Sequence, residues 1–259
     1  MPCIVVPTNE EPMTPNYAKG PTVVLVHGAF ADAASWAPVT QRLVEAGVPV
    51  RAIVNPLRGV SSDAAYVASA INQIDGPVLA VGHSYGGMII TNAVPQTANV
   101  VGLVYVAAFA PDKGETLAGI VGRSTDSVLT TAVLESQFPT GVNGDTATEL
   151  IIDPAKFRDV FTADLPQLES DVYGLSQRPI AARALVEETM RVAWKDLPTW
   201  AAVGTGDKAA GADVVRSMAQ RAGATITEIN GSHVIMISQP DAVTDVILAA
   251  LTAVTPRPV

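Results

Sequence analysis

Pro77-Val78-Leu79-Ala80-Val81-Gly82-His83-Ser84-Tyr85-Gly86-Gly87-Met88-Ile89-Ile90 decides how the rest of the chain is read. An apolar run of strand length enters a Gly-x-Ser-x-Gly pattern, and a second apolar run of helical character leaves it. A strand that turns directly into a helix at a serine holds that serine in a constrained backbone with its hydroxyl exposed. Gly82 and Gly86 have a steric reason to be there, because side chains would keep strand and helix apart in so tight a turn. The plainer alternative is an ordinary turn whose serine caps the following helix.

On both sides of this stretch, short apolar runs alternate with longer helix-like segments, which is the pattern of parallel strands joined by crossover helices. Strands are expected at Thr22–Val26, Val48–Val54, Pro77–Val81, Val100–Ala107, Thr199–Val203 and Ala224–Ile229. Their Val, Ile and Leu residues do not alternate with polar ones, as expected of strands covered on both faces. Helices are expected at Ala33–Ala46, Asp63–Ile74, Tyr85–Pro95, Ala212–Ala222 and Pro240–Ala253. The fold class is α/β, with a mostly parallel central sheet and flanking helices.

One interval breaks the alternation. Residues 112–195 show no convincing strand, only helix-like pieces: Asp153-Pro154 reads as a helix start, and Pro166 and Pro179 as openers of two more helices. No Gly- or Ser-rich linker bounds this interval. The expected organisation is therefore an N-terminal arm (1–20), a core (21–111 and 196–259) and a helical lid (112–195) inserted over the carboxyl edge of the sheet, where ligands bind in open α/β folds. There is no internal repeat or low-complexity tract.

Composition narrows the function classes. Of 259 residues, 48% are hydrophobic and 16% charged, enough apolar surface for a large core. A net charge of −9 and the lack of any basic run argue against nucleic acid as a partner. The single cysteine, Cys3, excludes an intrachain disulfide and a cysteine-rich zinc site, and three histidines make a histidine-rich metal site a poor expectation. No cofactor or metal is expected. Pro2, Pro7, Pro12, Pro15, Glu10 and Glu11 do not make a signal peptide, and no stretch reaches the roughly 18 apolar residues of a membrane span. A soluble, cytoplasmic protein is expected.

A serine nucleophile needs a base, and the chain offers His27, His83 and His233. His83 neighbours Ser84 in an extended segment, so the two side chains point apart; it is read as a structural hydrogen-bonding group. His27 ends the first strand, where backbone geometry matters more than imidazole chemistry. That leaves His233, in a loop after the last apolar strand. The orienting carboxylate should fall between serine and histidine in sequence. Asp207, flanked by glycine after a strand, is preferred, with Asp112 the runner-up and Asp213 read as a helix start. The N–H of Tyr85 is one expected oxyanion donor, and the second should come from the loop after the first strand, with Ala29 favoured over Phe30.

Val24-Leu25-Val26-His27-Gly28-Ala29-Phe30, Gly82-His83-Ser84-Tyr85-Gly86-Gly87, Ala107-Ala108-Phe109-Ala110-Pro111-Asp112 and Gly231-Ser232-His233-Val234 resemble the α/β-hydrolase superfamily. More narrowly, they are similar to small serine esterases of the plant methylesterase, hydroxynitrile lyase and bacterial pyrethroid hydrolase group. The resemblance runs from Thr22 to the C-terminus. It implies an eight-strand-derived sheet, a helical lid and a Ser84–His233–Asp207 triad, although no leading β-hairpin is evident before Thr22. Hydroxynitrile lyases carry threonine after the histidine of the oxyanion loop and lysine after the catalytic histidine. Gly28 and Val234 stand at those positions, which disfavours cyanohydrin cleavage.

The reading that follows is a serine carboxylic ester hydrolase working through an acyl-enzyme on a small to medium, largely apolar ester. Alternatives are the same triad acting on a lactone, amide or carbon–carbon bond, and a slow-turnover ligand receptor on the same scaffold. Of Phe138, Phe157, Phe161, Tyr173 and Trp194, most are expected to pack the lid, with one or two facing substrate. Arg58 is read as a solvated loop arginine and Met236 as core filling beside the pocket.

Overall fold

The computed structural model describes residues 20–255, and the expected N-terminal arm lies almost wholly outside them. In chain order the first half holds β1 (Thr22–Val26), α1 (Ala37–Glu45), β2 (Val50–Ile53), α2 (Val60–Asn72), β3 (Val78–His83), α3 (Tyr85–Ala93) and β4 (Val100–Val106). Then come α4 (Leu117–Val121), β5 (Val133–Pro139), β6 (Thr146–Ile152), α5 (Phe157–Val160), α6 (Gln167–Ser176), β7 (Ile180–Ala181) and α7 (Arg183–Val186). The chain closes with β8 (Thr199–Gly204), α8 (Ala212–Arg221), β9 (Thr225–Ile229), α9 (Ile235–Ser238) and α10 (Pro240–Val254).

Six strands form one sheet in the order β2-β1-β3-β4-β8-β9, and every neighbouring pair is parallel. All six expected strands are present. Those nearest the middle are the most apolar for a physical reason: β3 is buried along its whole length, and helices cover the sheet. The chain steps outward from β1 to β2 and then crosses back to β3, so the carboxyl ends of β1 and β3 flank the point where strand order reverses. That crevice is where open α/β sheets hold their ligands. Ser84 follows β3 there, and His27 to Phe30 follow β1.

The sheet implied by the resemblance derives from eight strands; six are present among the described residues, and residues 1–19, where a leading hairpin would fall, lie outside them. The segment between β4 and β8 corrects a second expectation. It is not purely helical: β5, β6 and β7 form an antiparallel sheet of three strands. β5 and β6 are joined by a turn in which Gly141, Asn143 and Gly144 all take positive φ. Pro179 therefore opens a strand rather than a helix, since Ile180 and Ala181 pair with Leu150 and Glu149. Pro166 does precede a helix, α6, whereas Asp153 caps a turn ahead of α5 by accepting the Ala155 N–H. Among the described residues no helix is long and apolar enough to cross a membrane.

Candidate active site

Ser84 sits between the last residue of β3 and the first of α3 with φ 52° and ψ −124°. A non-glycine residue in that region is strained by about 1–3 kcal/mol and persists only when its surroundings impose it. Here its N–H donates to the Val106 carbonyl, and its own carbonyl accepts from Gly87 and Phe109. The glycines make the turn possible. A Cβ on Gly86 would lie 2.2 Å from the Val26 carbonyl oxygen, and one on Gly82 would lie 2.6 Å from the Gly86 backbone.

Asp207 and His233 arrive from the ends of β8 and β9. The loops that carry them are tied together, with Thr205 N–H on Ile229 and Gly206 N–H on Gly231. Asp207 Oδ2 is 2.8 Å from His233 Nδ1, and both side chains are buried. Asp207 Oδ1 accepts from the N–H groups of Ala209 and Ala210, so the carboxylate is held from both sides. A carboxylate can accept only from a protonated Nδ1, which leaves Nε2 as the nitrogen with the free lone pair. Among the described residues no hydrogen bond joins Ser84 Oγ to His233.

Asp112 is elsewhere. Its carboxylate pairs with Lys195 Nζ at 2.6 Å and accepts the Lys113 N–H. Lys195, helped by that N–H, holds its pKa below the usual carboxylate range. Asp213 lies in the first turn of α8, as expected of a helix start, and accepts from Ser124 and Thr125.

The other two histidines act on the backbone. His27 is fully buried; its Nδ1 donates to the Gly28 carbonyl, and its Nε2 accepts the Asn55 N–H at 2.9 Å. Burial brings its pKa down from 6.5 to about 4. His83 bonds the His233 carbonyl through Nε2 at 3.0 Å, and its pKa is pushed well below 6.5 by burial and then by His233 beside it.

The loop after β1 presses on the serine. A Cβ at Gly28 would be 2.5 Å from Ser84 Cβ, so a threonine there would force the loop away. Phe30 takes φ 60°. Among the described residues the N–H groups of Ala29, Phe30 and Tyr85 meet no protein acceptor, although all three residues are buried. A buried N–H without a partner is rare. Tyr85 follows Ser84 directly, and Ala29 and Phe30 follow Gly28, which packs on Ser84.

Two further groups were not visible in the sequence. Asp63, fully buried, accepts from the Tyr85 hydroxyl at 3.0 Å and from the N–H groups of Arg58 and Gly59; burial raises its pKa. Asp164, from the inserted segment, accepts the Ser232 N–H at 2.9 Å and the Ser232 hydroxyl, one residue before His233. Burial works against its charge, but the Ser232 and Ser238 hydroxyls outweigh it and hold its pKa below the usual range. The Asp63–Tyr85 and Asp164–Ser232 contacts join residues distant in sequence, which no local pattern reveals.

Of the inserted aromatic residues, Phe161 lies closest to the site, its ring centroid 4.8 Å from that of His233. Phe157, Phe161 and Tyr173 line a cavity of about 100 Å³ together with Phe30, Val234 and Met236. A second cavity of about 110 Å³, lined by Ala29, Phe30, Leu117, Val121, Val133 and Leu185 among others, has Thr130 as its one polar side chain. Phe30 borders both. Trp194 donates to the Pro111 carbonyl and packs, while Phe138 lies under Arg58, 4.3 Å from ring to guanidinium. Arg58 is thus not simply solvated, since it also pairs with Glu149 at 2.9 Å. Among the described residues no cluster of His, Cys, Asp and Glu is arranged to hold a metal.

A strand-to-helix serine, a buried Asp–His pair at the ends of β8 and β9 and this strand order define an α/β hydrolase. Residues 23–246 match the Alpha/beta hydrolase family, and the chain belongs to it. A carbendazim hydrolyzing esterase from Nocardioides sp. (strain SG-4G) is 30% identical over 114 residues, 39% of this chain and 47% of that protein. The chain thus spans about half the length of that relative. Polyneuridine aldehyde esterase superposes with a TM-score of 0.73 at 20% identity, over 90% of this chain and 99% of the other. A pyrethroid hydrolase from Sphingobium faniae JZ-2 gives 0.70 at 20% identity, over 90% and 98%. At that identity the two structures speak for the fold.

Proposed function

We propose that this chain is a serine carboxylic ester hydrolase acting on small to medium, largely apolar esters. The observation that carries the reading is the buried Asp207–His233 pair, whose carboxylate fixes the imidazole with Nε2 free, at the same sheet edge as Ser84 on its strained turn. His233 Nε2 takes the Ser84 proton as Oγ attacks the ester carbonyl. The N–H of Tyr85, with that of Ala29 and failing it Phe30, receives the oxyanion. The same imidazole returns the proton to the leaving alcohol. It then activates water to cleave the acyl-enzyme and restore Ser84.

The inserted segment serves as the lid. It supplies Phe161 to the imidazole, part of the wall of the first cavity and most of the wall of the second, and the nearly apolar second cavity favours an apolar acyl group. Gly28 packed on Ser84 and the apolar Val234 after His233 weigh against a cyanohydrin lyase. The test is turnover of p-nitrophenyl esters from acetate to octanoate by wild type and Ser84→Ala. Activity that disappears in the mutant supports the proposal, and activity that survives in it overturns it.

A further inference from the structure

The two cavities that meet at Phe30 differ in chemistry. The one beside Ala29 is walled by aliphatic side chains. The other opens on the histidine side: Val234 follows His233 directly, Met236 lies two residues further on, and Phe161 packs on the His233 ring. An alcohol that takes its proton from His233 departs on that side. This cavity is walled by Phe30, Phe157, Phe161 and Tyr173, and no lysine or arginine lines it.

It also carries negative charge. Asp32 lines the wall; its Oδ1 accepts the Ala34 N–H, and its Oδ2 has no protein donor among the described residues. Glu169 lies four residues before Tyr173 on α6, so the two share a helix face. The tyrosine's pKa is raised by burial and then by the Glu169 and Asp32 carboxylates. Four aromatic side chains beside the Asp32 carboxylate attract a cation, through ring quadrupoles and plain Coulomb attraction together. Thr162 and Gln177 spend their side chains on Ser170, Ile152 and Gly174, so Asp32 is the charged group that the cavity offers a ligand.

We propose that this cavity binds a cationic head group, a quaternary ammonium or a protonated nitrogen base, carried on the leaving-group half of the ester. The inference rests on the hydrolase reading and sharpens its substrate: apolar acyl group on the Ala29 side, cationic alcohol on the His233 side.

Butyrylcholine and its neutral isostere 3,3-dimethylbutyl butyrate differ in charge and hardly in shape. The ratio of their kcat/KM values in the same preparation cancels any general loss of activity. Wild type should prefer the cationic ester by on the order of tenfold at low salt, the combined scale of a cage contact and an exposed carboxylate. Asp32→Asn, which keeps the Ala34 hydrogen bond, should bring the ratio close to one. Tyr173→Leu should lower it, and Tyr173→Phe should retain it. A wild-type ratio near one, with both esters turned over, overturns the cation pocket and leaves the hydrolase intact. If neither ester is turned over, calorimetric titration of phenyltrimethylammonium into Ser84→Ala decides. Binding that Asp32→Asn weakens at least threefold supports the pocket, and no binding at millimolar concentration overturns it. The hydrolase reading falls separately, on p-nitrophenyl ester turnover that does not depend on Ser84.

Discussion

Acid should unfold this protein well above the range where ordinary carboxylates titrate, and His27 gives the size of the effect. Its Nε2 accepts from the Asn55 N–H, so a proton there would set donor against donor inside a fully buried site. With the folded pKa at about 4 against 6.5 for a free histidine, the unfolded chain alone takes the proton between those values. Above pH 6.5 neither state is charged and the stability is complete. As pH falls from 6.5 to 4 it is lost at about 1.4 kcal/mol per unit, to a total of about 3 kcal/mol, and below 4 the loss stops growing. His83, whose folded pKa is also depressed, adds a second slope of the same sign across the upper part of the window. The assay is urea unfolding followed by tryptophan fluorescence at pH 7.5, 6.5, 5.5 and 5.0. His27→Gln, whose amide oxygen can still accept from Asn55, should lower the slope by about 1.4 kcal/mol per unit whatever it does to stability at pH 7.5. A flat profile in wild type, or an unchanged slope in His27→Gln, would refute the reasoning.

Gly86→Ala places a methyl group 2.2 Å from the Val26 carbonyl and should cost about 3 kcal/mol or more of unfolding free energy, or prevent folding, as read by thermal melts. Asp207→Asn should lower kcat about 10⁴-fold by fixing the wrong imidazole tautomer, whereas Asp112→Asn, whose carboxylate pairs with Lys195, should leave kcat within about twofold. Asp164→Ala frees the Ser232 end of the histidine loop. It should cost about 1 kcal/mol of stability, given the exposure of the carboxylate, and lower kcat for small esters about tenfold with KM little changed.

The central sheet was legible because its strands are short, apolar and buried on both sides, a pattern that survives without any knowledge of neighbours. Ser84 was legible for a related reason: the glycines around it answer to sterics within a few residues. The β5–β6 hairpin was missed, although its turn carries Asn143-Gly144 between β-branched and apolar runs, a local hairpin signal. Most of β5 is exposed, so its polar residues disguise a strand that has no core to face. The Tyr85 bond of Asp63, the Ser232 bonds of Asp164 and the Phe161 ring on His233 depend on contacts between elements apart in sequence. A carboxylate at a helix start or in a loop looks the same on paper whether it meets solvent, Tyr85 or Ser232.

The most direct test of the central claim traps the acyl-enzyme mimic. Diethyl p-nitrophenyl phosphate should leave one diethylphosphoryl group on the protein, located by peptide mass spectrometry on the peptide that contains Ser84. One equivalent of p-nitrophenol should be released, with parallel loss of esterase activity. Ser84→Ala should carry no adduct, and Asp207→Asn should be labelled far more slowly. An adduct on another residue that tracks the loss of activity, or full labelling of Ser84→Ala, would contradict the account.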